Sequence, residues 1–262
     1  MLAKVFKKYQ ASGVTALPLR PFSLDPKSGQ FHLLLFGAPG VGKGTYSKLI
    51  EKDFDFPTFS MGDYFRSIIN DPKAEQDDFL KSVKNILRSG KLVDDQTVID
   101  VIKNIKQSKK YDKHTGMIFD GVPRTLHQAE MIRKFMKIDL VINFYNREDI
   151  LLEKLMSRRV CPSCGKNYNI ANINRDGYKM HPLLPKKDAS KCDPCEIPLV
   201  IRDDDKESII KDRMEVYRQQ TEPIINYYKS LPNETRVIDF EAKRGVEDYP
   251  EIKKLLQDAL KI

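Results

Sequence analysis

The chain has 262 residues, with 45 Lys and Arg against 37 Asp and Glu, giving a net charge of +8. This length suits one α/β core with smaller inserted lobes and excludes two large independent domains, and no run approaches the roughly 18 apolar residues of a transmembrane helix. Because acidic residues are interspersed with basic ones after Asp25, the sequence also argues against a nucleic-acid-binding protein, which needs a continuous basic face.

Residues 1–29 are predicted to form an extension or targeting segment outside the core. Residues 1–24 carry four basic and no acidic side chains, and apolar residues recur there at helical spacing, beginning with Leu2, Val5 and Phe6. A cationic amphipathic helix is typical of a mitochondrial transit peptide, although such peptides usually contain more arginine than lysine. The alternative is an extension that packs on the core or stays disordered. We therefore expect a location in the mitochondrial matrix, with the cytoplasm as the alternative.

The first predicted core elements are a buried strand, a glycine-rich loop and a helix, in the stretch FHLLLFGAPGVGKGTYSKLI. The backbone N–H groups of such a loop can surround phosphate oxygens, and the positive end of the helix faces the same anion. Lys43 adds a mobile cation, whereas Gly44 stands where the usual pattern has a Ser or Thr for Mg²⁺. The predicted phosphate-binding residues are Gly37, Ala38, Pro39, Gly40, Val41, Gly42, Lys43, Gly44 and Thr45. The alternative, an ordinary βα turn, does not explain why strand, spacing, Gly-Lys pair and helix coincide.

Four further apolar runs alternate with amphipathic stretches along the chain: PTFSM, TGMIFD, DLVINFY and TRVIDF. Strands separated by helices predict an α/β fold with a doubly wound parallel sheet. Asp120 ends one of these runs, so it is expected at the carboxyl end of a strand beside the loop, where it can hold Mg²⁺ through water molecules. Its alternative role is a helix or turn cap.

Two segments interrupt this alternation, and they predict two inserted lobes. Residues 67–95 form an inserted helical lobe, and residues 160–200 hold all four cysteines, several prolines and little periodic apolar pattern. The stretch between the two cysteine pairs is polar and is predicted to be loop-like. The core then consists of 30–66, 96–159 and 201–262.

The cysteines occur as two C-x-x-C pairs, CPSC and CDPC, separated by 27 residues. This pattern predicts a structural Zn²⁺ site formed by Cys161, Cys164, Cys192 and Cys195. A pair of disulfides is the alternative, which a cytosolic or matrix protein would not be expected to keep oxidised. Because four thiolates complete a tetrahedral site, His181 in the same segment is interpreted as a surface residue.

Several motifs, in this order, resemble those of the adenylate kinase family: GAPGVGKGT, FSMGDYFR, GKLVDDQTVI, FDGVPRTLHQAE, LMSRRV, the cysteine segment and IRDDDKESIIKDRMEVYRQQTEPIINYY. The resemblance covers nearly the whole chain from Phe31. It implies a P-loop core, a nucleoside-monophosphate (NMP) binding lobe, a zinc-binding lid, and Mg²⁺-dependent phosphoryl transfer from a nucleoside triphosphate to AMP. In that family the threonine one residue later, here Thr45, takes the hydroxyl position.

The same resemblance implies roles for individual side chains. Lys43 and several arginines are expected to surround the transferred group, since a guanidinium fork binds phosphate oxygens two at a time and stays charged. The implied catalytic residues are Lys43, Asp120, Arg124, Arg158, Arg202 and Arg213. The implied AMP-binding residues are Met61, Arg66, Lys91, Leu92, Val93, Val98, Gly121, Arg124 and Gln128, of which Gln128 would read the adenine. No general base is needed, because the acceptor phosphate is already ionised.

Three positions depart from the family pattern. Met61 replaces a hydroxyl residue, Val122 replaces a phenylalanine, and Lys154 stands where an arginine usually stacks on the donor base, which a lysine cannot do as a plane. The stretches IDLVINF and GKNYNI resemble the mitochondrial GTP:AMP branch of the family. We therefore assign Lys154 to the triphosphate site because of its position. Together with the two stretches, it favours GTP over ATP as donor.

Two further hypotheses stay open at this point: a UMP/CMP-type kinase, and a nucleotide-binding module that has lost catalysis. The intact set of cations argues against the second. We expect a monomer that acts on small nucleotides.

Overall fold

The structure is a computed structural model that describes residues 30–69, 77–108 and 111–260. The predicted N-terminal extension lies outside these residues. The described elements, in chain order, are β1 (Phe31–Gly37), α1 (Lys43–Phe54), β2 (Thr58–Ser60), α2 (Met61–Ile69), α3 (Asp78–Arg88), α4 (Asp95–Gln107), β3 (Gly116–Asp120), α5 (Leu126–Arg133), β4 (Leu140–Tyr145), α6 (Glu148–Met156), β5 (Arg158–Val160), β6 (Asn167–Asn169), β7 (Ile173–Arg175), β8 (Tyr178–Met180), a 3₁₀ turn (Asp203–Asp205), α7 (Glu207–Val216), a π-helical turn (Tyr217–Thr221), α8 (Ile224–Lys229), β9 (Arg236–Glu241), a 3₁₀ turn (Gly245–Asp248) and α9 (Tyr249–Leu260).

The central sheet contains five parallel strands in the order β2-β3-β1-β4-β9. In a parallel sheet all carboxyl ends meet at one edge, and ligands bind outside that edge where the strand order reverses. Here β1 lies between β3 and β4, with Leu35 opposite Asp120 and Gly37 opposite Phe144. The glycine-rich loop and Asp120 therefore leave the sheet side by side.

Strand β1 shows why both faces of the sheet are covered. Leu33 and Leu35 lie in the apolar cluster on one face, and Leu34 and Phe36 lie in the cluster on the other. All four are at most 3% exposed. A strand buried on both faces needs a continuous apolar run, and helices pack on each side to bury it. The predicted doubly wound parallel sheet is confirmed.

Short side-chain caps fix where several helices begin. The carboxylate of Asp94 accepts a hydrogen bond from the Thr97 amide at the start of α4, and Thr125 accepts one from the Gln128 amide at the start of α5. Each cap satisfies an N–H group that has no partner within its helix. The Thr125 hydroxyl also donates to Asp95 at 3.0 Å, and this hydrogen bond joins the first turns of α4 and α5.

The segment between the cysteine pairs differs from the polar loop that was expected. Within it β6 pairs antiparallel with β5, which precedes the first cysteine pair, and β7 pairs antiparallel with β8. The hairpin β7–β8 buries Ile173, Tyr178 and Met180 against Ile150 of α6. The buried residues alternate with exposed polar ones such as Lys179. Strands of only three residues are too short for this alternation to be recognised in the sequence.

Among the described helices, none combines the length and the apolar character required to cross a bilayer.

Candidate active site

The glycine-rich loop lines the deep end of a large cleft at the carboxyl edge of the sheet. Gly37 has φ +133°, and a Cβ on it would lie 2.1 Å from the carbonyl oxygen of Phe144. Gly42 has φ +114° and directly precedes α1, so only glycine adopts this turn without strain. Ala38 and Val41, which were predicted to bind phosphate, are buried beneath the loop, and their contribution is limited to backbone groups.

The side chain of Lys43 curls back over this loop. Its ammonium group donates to the carbonyl oxygens of Gly37 (2.7 Å) and Ala38 (3.0 Å). Burial lowers the pKa of Lys43 to about 8, which Asp120 opposes and the neighbouring guanidinium groups reinforce. An anion in front of the loop would stabilise the charged ammonium group against its burial and against the neighbouring guanidinium groups. The site therefore favours a polyanionic ligand.

Two acidic residues between Arg202 and α7 hold the arginines in place. Asp205 is fully buried and accepts two hydrogen bonds from Arg158, one of them from Nε at 2.6 Å. Arg213 pairs with Asp204 at 2.9 Å and with Asp205 at 3.2 Å. Asp205 is one of three consecutive acidic residues, and no sequence signal marks it as the buried member of that run.

Arg202 and Arg124 complete the cationic wall of the cleft. Arg202 donates to the amide oxygen of Asn167 in β6 at 2.7 Å, a partner that the sequence did not reveal. Burial, together with Arg158 and Arg66, lowers the pKa of Arg202 to about 9. Burial, followed by the charge of Arg213, lowers the pKa of Arg124 to about 10. Such crowding of like charges is costly without a counter-ion, and it points to phosphate groups as the natural ligand.

Asp120 lies at the end of β3, opposite the loop, as predicted. Burial raises the pKa of this carboxyl, and Lys43 partly offsets the effect. Asp120 and Thr45 both line the cleft. A carboxylate and a hydroxyl beside a phosphate-binding loop are ligands that suit hydrated Mg²⁺.

A small cavity of about 30 Å³ adjoins the cleft at Arg124 and Gly121. It brings together seven of the nine residues predicted to bind AMP: Met61, Leu92, Val93, Val98, Gly121, Arg124 and Gln128. Arg66 lies in the main cleft instead, 2.6 Å from Asp63. Lys91 is exposed outside the cavity. The cavity walls are mainly apolar, which suits the faces of a planar base.

Gln128 is 1% exposed, and its amide is already engaged at both ends. Its Oε1 accepts from the Arg124 amide at 2.7 Å, and its Nε2 donates to Asp95 at 2.8 Å. An amide has two donor hydrogens and two acceptor lone pairs. Gln128 therefore keeps one hydrogen and one lone pair for the edge of a base.

Lys154 lies at the outer part of the cleft, against the loop. Its ammonium group donates to the carbonyl oxygen of Val41 at 3.2 Å, and burial lowers its pKa to about 8. Met180 and His181 line this part of the cleft, and His181 lies 3.7 Å from Glu247. The hairpin β7–β8 thus forms one wall of the region that Lys154 faces.

The four cysteines meet at the base of the lid, with every pair of sulfurs within 4.8 Å. Both C-x-x-C turns have the same backbone: the amide of Gly165 donates to Cys161 O (3.0 Å), and that of Glu196 to Cys192 O (2.8 Å). Four thiolates at about 2.3 Å from a Zn²⁺ ion lie roughly 3.8 Å apart. The measured spacing is compatible with a tetrahedral metal site.

The inserted helical lobe contacts the far side of the cleft. Arg88 pairs with Asp203 at 3.1 Å, and Gly90 packs so closely on Arg213 that a Cβ on Gly90 would lie 2.6 Å from Cγ of that arginine. The helical lobe therefore rests on the core segment 203–213, which carries part of the cationic wall.

Comparisons with known proteins agree with these features. The family model described as adenylate kinase matches residues 35–232. A GTP:AMP phosphotransferase of Plasmodium falciparum (isolate 3D7) is 36% identical over 86% of this chain and 95% of its own length. An adenylate kinase of Thermotoga neapolitana is 39% identical over 75% of this chain and 84% of its own length. A probable adenylate kinase 6, chloroplastic, of Arabidopsis thaliana is 35% identical over 86% and 75%, respectively. The chain belongs to the adenylate kinase family.

Proposed function

We propose that the protein catalyses the reversible, Mg²⁺-dependent transfer of a phosphoryl group from a nucleoside triphosphate to AMP. The observation that carries this proposal is the convergence of Lys43, Arg124, Arg158, Arg202 and Arg213 on one cleft. The cleft joins a phosphate-binding loop to a separate small pocket of apolar character. This geometry fits two nucleotides whose phosphates meet between the cations.

The chemistry of these residues is positioning and charge neutralisation. The loop amides and Lys43 would hold the donor phosphates, while Arg158 and Arg213, fixed by Asp205, would face the transferred group. Preorganised donors of this kind stabilise the charge that develops during phosphoryl transfer. Asp120 and Thr45 would hold the hydrated Mg²⁺, which neutralises phosphate charge when bound.

Arg124 and Gln128 would form the AMP side of the reaction. The small cavity opens into the main cleft at Arg124 and Gly121, so a base seated in it would place its phosphate towards the cations. Two lobes surrounding a reaction centre are well suited to closure, which excludes the water that would hydrolyse the donor.

GTP is our proposed donor, with ATP as the alternative. Lys154 lies at the donor end of the cleft in place of a stacking arginine, and one relative carries the name GTP:AMP phosphotransferase. The test is the initial rate of phosphate transfer to AMP with each donor in the presence of Mg²⁺, using Lys43→Met protein as the control for contaminating kinases. Higher kcat/KM with GTP supports the proposal, and higher kcat/KM with ATP contradicts it.

The acceptor is tested in the same assay with UMP and CMP. We expect AMP to be used with a kcat/KM at least about 100-fold higher, because the buried amide of Gln128 must find a complementary base edge. Preferred use of a pyrimidine nucleotide would instead identify a UMP/CMP-type kinase. Transfer to none of the three would favour the non-catalytic binding module.

We further propose that the four cysteines bind one structural Zn²⁺. Its role would be to stabilise the lid, because the four cysteines lie in that lobe and the described lid residues form only small apolar clusters. Metal analysis of protein purified under reducing conditions should give one zinc per chain. Absence of zinc from fully folded, reduced protein would contradict this assignment.

The proposed location is the mitochondrial matrix, directed by residues 1–29. The chloroplastic name of one relative makes a plastid a second destination to examine. Expression of residues 1–30 fused to a fluorescent protein should label mitochondria. Label in plastids, or spread through the cytoplasm, would contradict the matrix assignment.

A further inference from the structure

The peptide groups around Arg124 are held from two sides. The Arg124 amide donates to Gln128 Oε1 at 2.7 Å, and the Arg124 carbonyl accepts from the hydroxyl of Thr221 at 2.9 Å. The guanidinium Nε also donates to Gly121 O at 3.0 Å. The backbone and the side chain of this arginine are therefore fixed independently of any ligand.

Thr221 reaches Arg124 because of an irregular turn. It is 8% exposed and lies at the end of the π-helical turn that follows α7, where the Glu222 amide donates to Tyr217 O at 2.8 Å. One extra residue in a helical turn changes the direction of the following side chains by about 100°. The π-helical turn thus directs the Thr221 hydroxyl into the cleft wall, on the same continuous segment that carries Arg213.

Arg124 and Arg213 need such a restraint because they repel each other. Both guanidinium groups line the cleft, and Arg213 is neutralised by Asp204 and Asp205. Arg124 is held through Nε by a carbonyl oxygen, which carries only a partial charge. The charges of Asp120 and Asp204 offset only part of the burial and of the repulsion from Arg213, since the pKa of Arg124 stays lowered. Repulsion between two buried cations tends to move the Arg124 loop away from α7.

We propose that Thr221 is a positioning residue for phosphoryl transfer: its hydroxyl fixes the distance between Arg124, on the acceptor side, and Arg213, on the donor side. The proposal rests on the proposed function as an AMP phosphotransferase. Thr221 acts through the Arg124 carbonyl. Reaction geometry is sensitive to shifts of about 1 Å, so loss of this contact should affect the rate more than the affinity.

The direct test is Thr221→Val, which keeps the shape of the side chain and removes the hydroxyl. We expect kcat with AMP to fall by roughly 10- to 100-fold, with the KM for the donor within about twofold of wild type. Thr221→Ser keeps the hydroxyl and should restore kcat to within about threefold. A Ser variant as slow as the Val variant would overturn the proposal.

Thr235→Val is a closely matched control. Thr235 is 5% exposed, and its hydroxyl donates to Ile138 O at 2.8 Å, across the same sequence separation of 97 residues, next to the amino end of β9. Both valine variants lose one buried hydrogen bond, so their thermal midpoints should fall by similar amounts. Only Thr221→Val should lose kcat. Equal losses of kcat in the two variants would show a stability effect alone and would overturn the proposal.

A measurement without nucleotide separates this inference from the proposed function. The ¹⁵N–¹H signal of the Arg124 Nε–H group reports its hydrogen bond to Gly121. It should shift or broaden in Thr221→Val and stay unchanged in Thr235→Val; an unchanged signal in both variants would overturn the inference. Failure of the wild-type protein to transfer phosphate to AMP would contradict the proposed function, whereas the signal would still test whether Thr221 positions Arg124.

Discussion

At the scale of single residues, the protonation of Lys43 depends on the ligand in front of it. Its pKa of about 8 in the folded protein is below the value near 10.4 of an exposed lysine. The unfolded chain therefore binds this proton more tightly, and stability should rise as the pH increases from about 8 towards 10.4. Below pH 8 the ammonium form is present and carries the full burial cost.

Nucleotide binding should reverse this shift. Polyphosphate favours the charged lysine, so binding near pH 8.5 should take up protons, and affinity should fall as the pH rises through about 8. Calorimetry in buffers of different ionisation enthalpy measures this uptake. In Lys43→Met protein the uptake should decrease to the part contributed by Lys154 and Arg202, whose pKa values are about 8 and about 9. Equal proton uptake in wild type and variant would contradict the assignment.

Asp205 and Asp203 provide a matched comparison within one turn. Asp205→Asn removes the buried charge that neutralises Arg158 and Arg213, and should cost about 3 kcal/mol of stability together with most of the activity. Asp203→Asn removes only an exposed pair with Arg88 and should cost less than about 1 kcal/mol. Denaturant unfolding and kcat would check both values. Similar losses of unfolding free energy and of kcat in the two variants would contradict the importance assigned to the burial of Asp205.

The site residues that the sequence revealed are those in contiguous motifs. Lys43, Asp120 and Arg124 stand in or beside glycine-containing turns after apolar runs, where chemistry and spacing coincide. Asp205 and Asn167 could not be found this way. One acidic residue in a run of three, or one asparagine in a polar stretch, acquires its role only from the tertiary contact with an arginine.

At the scale of elements, the two C-x-x-C turns carry different residues at the position that follows the second cysteine. Gly165 has φ +70° and Glu196 has φ +57°, both in the left-handed region. A Cβ on Gly165 would meet no atom within 4 Å. Gly165→Ala therefore measures only the free-energy cost of the left-handed backbone conformation for a residue with a Cβ, about 1 kcal/mol. Glu196→Gly should be stabilising by a similar amount. Competition with a chelator should show weaker zinc binding for the first variant and tighter binding for the second, and the opposite order would contradict this account.

The sequence predicted elements well where they were long and failed where they were short. The apolar run of β1 and the amphipathic pattern of α4 each exceed one full period of their structure. The lid strands are three residues long, and their pairing depends on contacts with α6 and with each other. A sequence pattern cannot indicate such a dependence, which is why the lid was expected to be a loop.

At the scale of the whole molecule, the cleft residues that the structure describes lie between Leu34 and Val246. A chain lacking residues 1–26 should therefore keep its kcat and both KM values within about twofold, and its thermal midpoint within a few degrees. Steady-state kinetics and thermal unfolding of the shortened chain would check this. A large loss of activity would show that the extension contributes to the enzyme itself.

The overall topology was predictable because a strand–loop–helix start and alternating elements leave few alternatives. The order of the strands and the contact of the helical lobe with residues 203–213 were not predictable, since both depend on packing between distant segments.

The contact between the helical lobe and residues 203–213 of the core has a thermodynamic consequence. Through Arg88 and Gly90 the lobe on the acceptor side rests on Asp203 and Arg213 on the donor side, so a nucleotide that moves this lobe changes the surface offered to the donor. Binding free energies linked in this way are reciprocal. Whatever factor the donor imposes on the affinity for AMP, AMP must impose the same factor on the affinity for the donor, and weakening this contact should bring both factors towards one.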